Sequence, residues 1–226
     1  MRRLLAIETS SEFCSVAVAH DGALRQCHEH TPLRHAERVL PMVNGLLTGS
    51  GLRLDQLDAI AFGRGPGSFT SLRIGIGVVQ GLAWGAGLPV VPVSSLAAIA
   101  QQAMAAGAVR VLVAMDARMG EVFHCSYVAD AAGLPRPLRA EAVSAPGVVA
   151  AGQTGTFTGA GNGFVRYHEL AGLASRLVDL RADIAPSAAA LIPLAMDWLR
   201  ENDPLPAAGA QPVYVRNQVA KKPPVG

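Results

Sequence analysis

The chain has 226 residues, half of them hydrophobic, and a formal net charge of +2 at pH 7. That length is enough for one large domain or for two small ones with buried cores. Residues 1–105 carry eight Arg and Lys against seven Asp and Glu, and the remainder carries eleven against ten, so neither half has the basic surface of a domain that binds nucleic acid alone.

The first half of the chain alternates between predicted strands and helices. Apolar, β-branched runs predict strands at 4–10, 14–20 and 23–29, and Asp21-Gly22 is a typical hairpin turn between the last two. A helix with one apolar face follows over 34–48, and Pro41 inside it should kink it. The predicted elements after this helix are a strand at 58–62, a helix at 71–85, a strand at 88–93 and a helix at 95–106.

Residues 74–109 contain no charged side chain. Prolines and polar residues interrupt this segment, so its pattern indicates a buried helix, strand and helix and not a membrane span. The odd number of cysteines, without a CxxC spacing, favours reduced thiols, and we expect a cytoplasmic protein.

The pattern of the opening residues starts again at Arg110. Residues 111–133 repeat the order of apolar strand, acidic strand end, polar turn and second strand, and this alignment places Glu8 opposite Asp116. The sequence therefore predicts two α/β lobes with mixed sheets flanked by helices, an N-terminal lobe over 1–107 and a shorter C-terminal lobe over 108–226.

Most of the second lobe has weaker signals. Residues 134–158 are rich in Ala, Gly and Pro and look like loop, whereas 187–201 is a clear helix. The proline-rich segment 203–226 should be mostly irregular, with a possible strand at 213–215.

Acidic residues end the first strand of each predicted lobe, in Glu8-Thr9-Ser10 and at Asp116. Two such ends facing one cleft could hold Mg²⁺ and phosphates, although acids and hydroxyls also make good turns. The turn containing Gly159, Gly161 and Gly163 could pass under an adenine or a ribose, or it could be a plain loop.

A glycine-rich loop at 63–70 joins the strand at 58–62 to the following helix. The backbone around Gly65, Gly67 and Ser68 could bind an anion at the helix N-terminus, or it could simply form a tight turn. It is not a P-loop, because both lysines of the chain lie in the tail, at 221 and 222.

Three glycines spaced four apart, Gly77, Gly81 and Gly85, form one stripe of the helix at 71–85. Each costs about 1 kcal/mol of helix stability relative to alanine, so the stripe needs a compensating role. Close approach of another helix is the usual one, and that helix could be internal or belong to a partner.

Five segments together resemble the TsaB (YeaZ) family, whose members take part in making the threonylcarbamoyl modification of adenosine 37 in bacterial tRNA. They are LLAIETSSEFCSVAVAHDG (4–22), HAERVLPMV (35–43), GPGSFTSLRIGIGVVQGLAWG (65–85), LPVVPVSSLAAIA (88–100) and DARMGEVF (116–123). The resemblance implies a duplicated actin-like (ASKHA, ribonuclease H-like) fold and a truncated relative of TsaD, the catalytic subunit. TsaD binds its metal through a pair of histidines, and Ser95 and Ile99 occupy those positions here. Neither side chain replaces an imidazole, so we expect no metal site.

The resemblance further implies a non-catalytic subunit that binds and activates TsaD, joined by the ATPase TsaE. It implies no cofactor of its own and possible ATP or ADP in the complex. Because neither half of the chain is basic, we expect contact with tRNA only through the complex. The apolar, glycine-striped helix pair would leave a hydrophobic patch in water, so we expect a homodimer when the chain is alone. The contact would use the helices at 34–48 and 71–85, through Val39, Met42, Val43, Leu46, Gly77, Gly81, Trp84 and Gly85. The alternative is an actin-like enzyme acting alone, either a sugar kinase or a metal-dependent carbamoyl-type transferase.

Overall fold

A computed structural model describes residues 2–216 of the chain. The N-terminal half contains β1 (Leu4–Glu8), β2 (Phe13–His20), β3 (Ala23–His30), α1 (His35–Gly49), β4 (Ala59–Gly63), α2 (Phe69–Ala86), β5 (Val90–Val93) and α3 (Ser95–Ala105). The C-terminal half contains β6 (Arg110–Asp116), β7 (Val122–Ala129), β8 (Pro135–Pro137), β9 (Ala142–Ser144), α4 (Pro146–Ala151), β10 (Phe157–Ala160), α5 (Gly163–Arg166), β11 (Leu177–Arg181) and α6 (Ala188–Glu201). Within residues 2–216, no helix combines the length and the apolar character needed to cross a bilayer.

The first sheet has the strand order β3-β2-β1-β4-β5. β1, β2 and β3 pair antiparallel, whereas β4 pairs parallel with both β1 and β5. Asp21 and Gly22 form the predicted turn between β2 and β3, with positive φ values of 47° and 83°.

The second sheet repeats this topology. Its order is β8-β7-β6-β10-β11, with antiparallel pairs at the β6, β7 and β8 end and parallel pairs between β6 and β10 and between β10 and β11. β9 forms an additional antiparallel pair with β7. The predicted duplication is therefore confirmed at the level of sheet topology.

The last helix of each half packs on the sheet of the other half. α6 buries Leu191, Ala195 and Leu199 against the first sheet. α3 buries Leu96, Ile99 and Met104 against the second. The predicted boundary after residue 107 stays a prediction. The start of the second sheet at Arg110 agrees with it, but each of the two cores contains residues from both halves of the chain.

Two local expectations differ from the structure. Residues 134–158, expected to be loop, contain β8, β9 and α4, because these short elements find their partners in β7 and in the second core. Residues 213–215 make one backbone hydrogen bond, from Val213 N to Arg64 O at 2.8 Å, and are not a strand. α1 continues through Pro41, whose side chain is exposed, and the predicted kink at this proline stays a prediction. The expectation for the tail beyond 216 lies outside the described residues.

Candidate functional site

A cavity of about 590 Å³ lies between the two lobes. The β1–β2 turn, the start of α1 and the start of α2 line it from the first lobe, and the β6–β7 turn lines it from the second. Of the residues predicted to bind ligands, Ser10, Gly67, Ser68 and Asp116 line this cleft. Glu8, Thr9, Gly65, Gly159, Gly161 and Gly163 do not line it.

Glu8 faces the interior of the protein and not the cleft. It is fully buried, its Oε1 accepts a hydrogen bond from the Ser10 amide at 2.6 Å, and its Oε2 accepts one from the Ser95 hydroxyl at 2.8 Å. Burial raises the pKa of this carboxyl above its ordinary value, and these hydrogen bonds oppose the shift. Of the two alternatives for Glu8, a turn residue or a group that faces a hydrated metal, the geometry supports the turn, because protein donors already bind its oxygens.

Thr9 and Ser10 are also buried and tie the β1–β2 turn to the start of α2. The Thr9 hydroxyl donates to Ser71 O at 2.9 Å, and Ser10 O accepts from Ser68 N at 2.8 Å. Thr9 therefore does not reach the cleft, and Ser10 lines it while its backbone oxygen holds the helix start.

Asp116 lies at the cleft, but other residues already bind its carboxylate. Oδ1 accepts from the Tyr167 hydroxyl at 2.7 Å and from the Arg118 amide at 2.8 Å, while Arg166 Nε lies 3.0 Å from Oδ2. The side chain is 5% exposed. Its charge is balanced by guanidinium groups, so a divalent cation would have to displace them.

An ion pair crosses the mouth of the cleft. Arg118 NH2 of the second lobe lies 2.9 Å from Glu12 Oε1 of the first lobe. Both residues of this pair line the cleft.

The turn after β10 is filled by protein atoms. A Cβ at Gly161 or Gly163 would lie within 2.8 Å of Ala114 O, and one at Gly159 would lie 2.9 Å from Phe164. These glycines therefore allow close packing of the second lobe. Of the two alternatives for this turn, the geometry supports the plain turn and not a position under an adenine. Within this turn Asn162 reaches the cleft, and its side chain accepts from Asp116 N at 2.9 Å.

The glycine loop places Gly67 and Ser68 at the cleft and Gly65 inside the protein. Gly65 has a φ of 93°, which only glycine adopts readily, and its carbonyl accepts from Ser95 N at 3.0 Å. The structural interpretation of Gly65, a tight turn, is the one that its geometry supports. Taken together, the residues of the cleft do not fit a Mg²⁺–nucleotide held by this chain alone.

The predicted partner surface on α1 and α2 divides into two groups. Val39, Met42 and Val43 are buried in the chain's own first core, and Leu46 is half-buried against it. The prediction that Val39, Met42 and Val43 contact a partner is therefore wrong, because the apolar face of α1 packs on the first sheet and on α2.

The second group lies on the surface. Gly77, Gly81 and Gly85 are exposed, and a Cβ at each would meet no atom within 4 Å. Trp84 beside them is 79% exposed. The glycine stripe therefore does not pack inside the lobe, and its exposed position leaves room for a second backbone to approach closely.

Sequence reasoning missed other residues of this surface. Leu40 on α1 is 49% exposed, and at the start of α2 the Arg73 guanidinium lies 3.9 Å from the centre of the Phe69 ring. Arg73 Nε also donates to the Tyr214 hydroxyl at 3.1 Å. Tyr214 is 141 residues away in sequence, so no local pattern could have placed it here.

The two positions that correspond to metal-binding histidines in the resemblance are internal. Ser95 is fully buried and bound to Glu8, and Ile99 is packed in the second core. No group of three or more His, Cys, Asp or Glu side chains within residues 2–216 is arranged to hold a metal ion.

Comparisons with known proteins agree with this architecture. Residues 29–156 match the family TsaD, described as tRNA N6-adenosine threonylcarbamoyltransferase. The chain is 43% identical over 225 residues to the tRNA threonylcarbamoyladenosine biosynthesis protein TsaB of Escherichia coli, covering 97% of both chains. It is 38% identical to the TsaB protein of Haemophilus influenzae, over 97% of this chain and 95% of that protein.

A solved structure is equally similar. YeaZ from Pseudomonas aeruginosa superimposes with a TM-score of 0.85 at 44% identity, over 95% of this chain and 100% of that one. The actin-like, ribonuclease H-like fold with two mixed sheets is thereby confirmed. Similarity at this level over nearly the whole length shows that the chain belongs to the TsaB (YeaZ) family.

Proposed function

We propose that the chain is a non-catalytic subunit that binds the transferase TsaD and activates it in the threonylcarbamoylation of adenosine 37 of tRNA. A role in tRNA threonylcarbamoyladenosine biosynthesis follows from its family, since the curated relatives carry that description. What we propose beyond this role is that TsaD is the partner and that the chain alone catalyses no transfer.

The observation that carries the proposal is the exposed face of α2. The exposed stripe of Gly77, Gly81 and Gly85 forms a track without side chains on the surface, which we call the glycine track. Trp84 lies at one end of it, and Phe69 and Arg73 lie at the other. Tryptophan and arginine are enriched among the residues that dominate binding at interfaces, and exposed glycines in a helix are destabilising unless something packs on them. The match of residues 29–156 to TsaD supports a partner of related fold, which would present similar helices.

The interior of the cleft supports an accessory role. Catalysis at a lobe interface needs carboxylates or imidazoles free to bind a metal or a substrate. Here Glu8 is buried, Asp116 is bound by two arginines and a tyrosine, and Ser95 replaces the expected imidazole.

The remaining features of the proposal concern the assembly. The chain alone would form a homodimer through the same face, and TsaE would join the complex with TsaD. Any ATP or ADP would bind in that complex and not in this chain's own cleft. Contact with tRNA would occur through the complex, in the cytoplasm.

Reconstitution tests the proposal directly. The purified chain is mixed with TsaD from the same organism, binding is measured by titration calorimetry, and threonylcarbamoyl transfer to tRNA is measured with TsaE and ATP present. The expected result is a heterodimer with transfer activity that requires both proteins. Transfer by this chain alone would support the alternative of an independent enzyme, and failure to bind TsaD at tens of micromolar would refute the proposal.

A further inference from the structure

Three glycines around the start of α2 each face one residue of the Glu8-Thr9-Ser10 turn. A Cβ at Gly63 would collide with the Glu8 carboxylate, one at Gly67 would collide with Ser10, and one at Gly75 would collide with the Thr9 hydroxyl. The absence of a side chain at Gly63, Gly67 and Gly75 therefore makes the space that the end of β1 occupies. We call these three glycines the strand-end socket.

Hydrogen bonds join the two sides of the socket. Thr9 Oγ1 donates to Ser71 O at 2.9 Å, Ser68 N donates to Ser10 O at 2.8 Å, and Ser95 Oγ donates to Glu8 Oε2 at 2.8 Å. Two of these three bonds end on the first turn of α2 or on the residue before it. The first turn of α2 is therefore fixed in position by the polar end of β1.

The outward face of the same helix carries the proposed partner surface. Arg73 and Gly77 flank Gly75 in sequence and are exposed, so the residue that contacts Thr9 lies within two positions of the track. A helix moves as a rigid rod over so short a distance, and a tight helix–helix contact tolerates little displacement.

We infer that Thr9 and the strand-end socket are positioning elements that set the pose of α2 for partner binding, in place of the metal and phosphate chemistry that acidic strand ends suggest. This inference rests on the proposed function. Thr9 touches no partner itself and acts through Ser71 and Gly75.

The first test removes the Thr9 hydroxyl and keeps the side-chain volume. Thr9→Val should weaken TsaD binding roughly three- to tenfold, on the scale of one lost buried hydrogen bond. Thr9→Ser, which keeps the hydroxyl, should restore affinity to within about twofold of wild type on the same scale. Thr158→Val is the matched control, because Thr158 is buried in β10 of the second sheet, away from α2.

The second test uses the close contact between Gly75 and Thr9. Gly75→Ala places a methyl group where the Thr9 hydroxyl lies, so either Thr9 or α2 must leave its present position and the contact between them is lost. TsaD affinity should then fall about tenfold or more. Adding Thr9→Ala removes both Oγ1, the atom that collides, and Cγ2, and leaves only the Thr9 Cβ, which lies 3.1 Å from the new Cβ. The double variant should therefore bind within about threefold of Thr9→Ala alone, a coupling expected of residues in contact.

All affinities are measured at 20 °C on protein whose circular dichroism confirms that it is folded. If wild type does not bind TsaD, the proposed function fails before these variants are needed. If wild type binds and Thr9→Val and Gly75→Ala bind equally well, the positioning inference is refuted and the proposed function stands. If Thr158→Val weakens binding as much as Thr9→Val does, the effect is general destabilisation, which also overturns the inference.

Discussion

Gly81→Leu is the perturbation that separates a partner surface from an ordinary helix face. Gly81 is exposed near the middle of the glycine track, and an added Cβ meets no atom within 4 Å. Leucine is favoured over glycine inside a helix by somewhat less than the roughly 0.8–1 kcal/mol that separates alanine from glycine. With no clash to offset that gain, the monomer should melt about 2–4 °C higher than wild type.

The effect on assembly has the opposite sign. A partner helix that approaches closely would meet the new side chain, and overpacking a tight contact costs about 1–3 kcal/mol. The dissociation constant for TsaD should therefore rise roughly five- to 150-fold. Gly147→Leu is the control, because Gly147 is exposed in α4, has open space around it and lies in the other lobe.

The assays are a thermal melt at low protein concentration and a TsaD titration on the same preparation. A melting temperature several degrees below wild type would mean that an internal neighbour lies at this position, which contradicts the open geometry. A stable variant that binds TsaD and self-associates like wild type would mean that this face of α2 contacts solvent alone, and the proposed surface would be wrong.

Three further predictions follow from other parts of the molecule. Glu8→Gln should raise the melting temperature at neutral pH, because burial raises the pKa of this carboxyl and the ionised form destabilises the folded protein. The gain in melting temperature over wild type should shrink as the pH falls through the raised pKa towards the ordinary value of 4.5. A gain that stays constant down to pH 4 would contradict the raised pKa. The chain alone should sediment as a dimer at high concentration and added TsaD should dissociate it, because both contacts use the α2 face; a dimer that persists with TsaD bound would place the two contacts on separate surfaces. Protein purified without chelators should hold far less than one transition metal per chain and should transfer no threonylcarbamoyl group alone, because Ser95 and Ile99 are internal and not ligands; iron or zinc near one per chain would refute it.

Local sequence patterns predicted most of the fold. The strands of the first lobe follow from β-branched apolar runs, and the Asp21-Gly22 turn follows from two residues that tolerate positive φ. The repeat at Arg110 predicted β6 and β7 of the second sheet, but not β10 and β11. β8 and β9 were missed because three-residue strands carry no periodicity and exist only through pairing with β7.

The candidate site was harder to predict, because the same residue pattern serves core and surface. The apolar face of α1 correctly predicts an amphipathic helix, but Val39, Met42 and Val43 pack inward. Likewise, the sequence shows that Glu8 ends a strand but not that Ser95, 87 residues later, supplies a hydrogen bond to its carboxylate. Such pairings depend on tertiary contacts that no local window contains.

The reciprocal placement of α3 and α6 has a consequence for folding. A fragment ending after α3 would leave the α6-facing side of the first sheet open to water, and its own α3 would have no second sheet to cover. Neither half can bury all of its apolar surface until the other half has been synthesised and packs against it. The chain should therefore unfold in a single cooperative transition, and proteolysis between the halves should yield two fragments that stay associated.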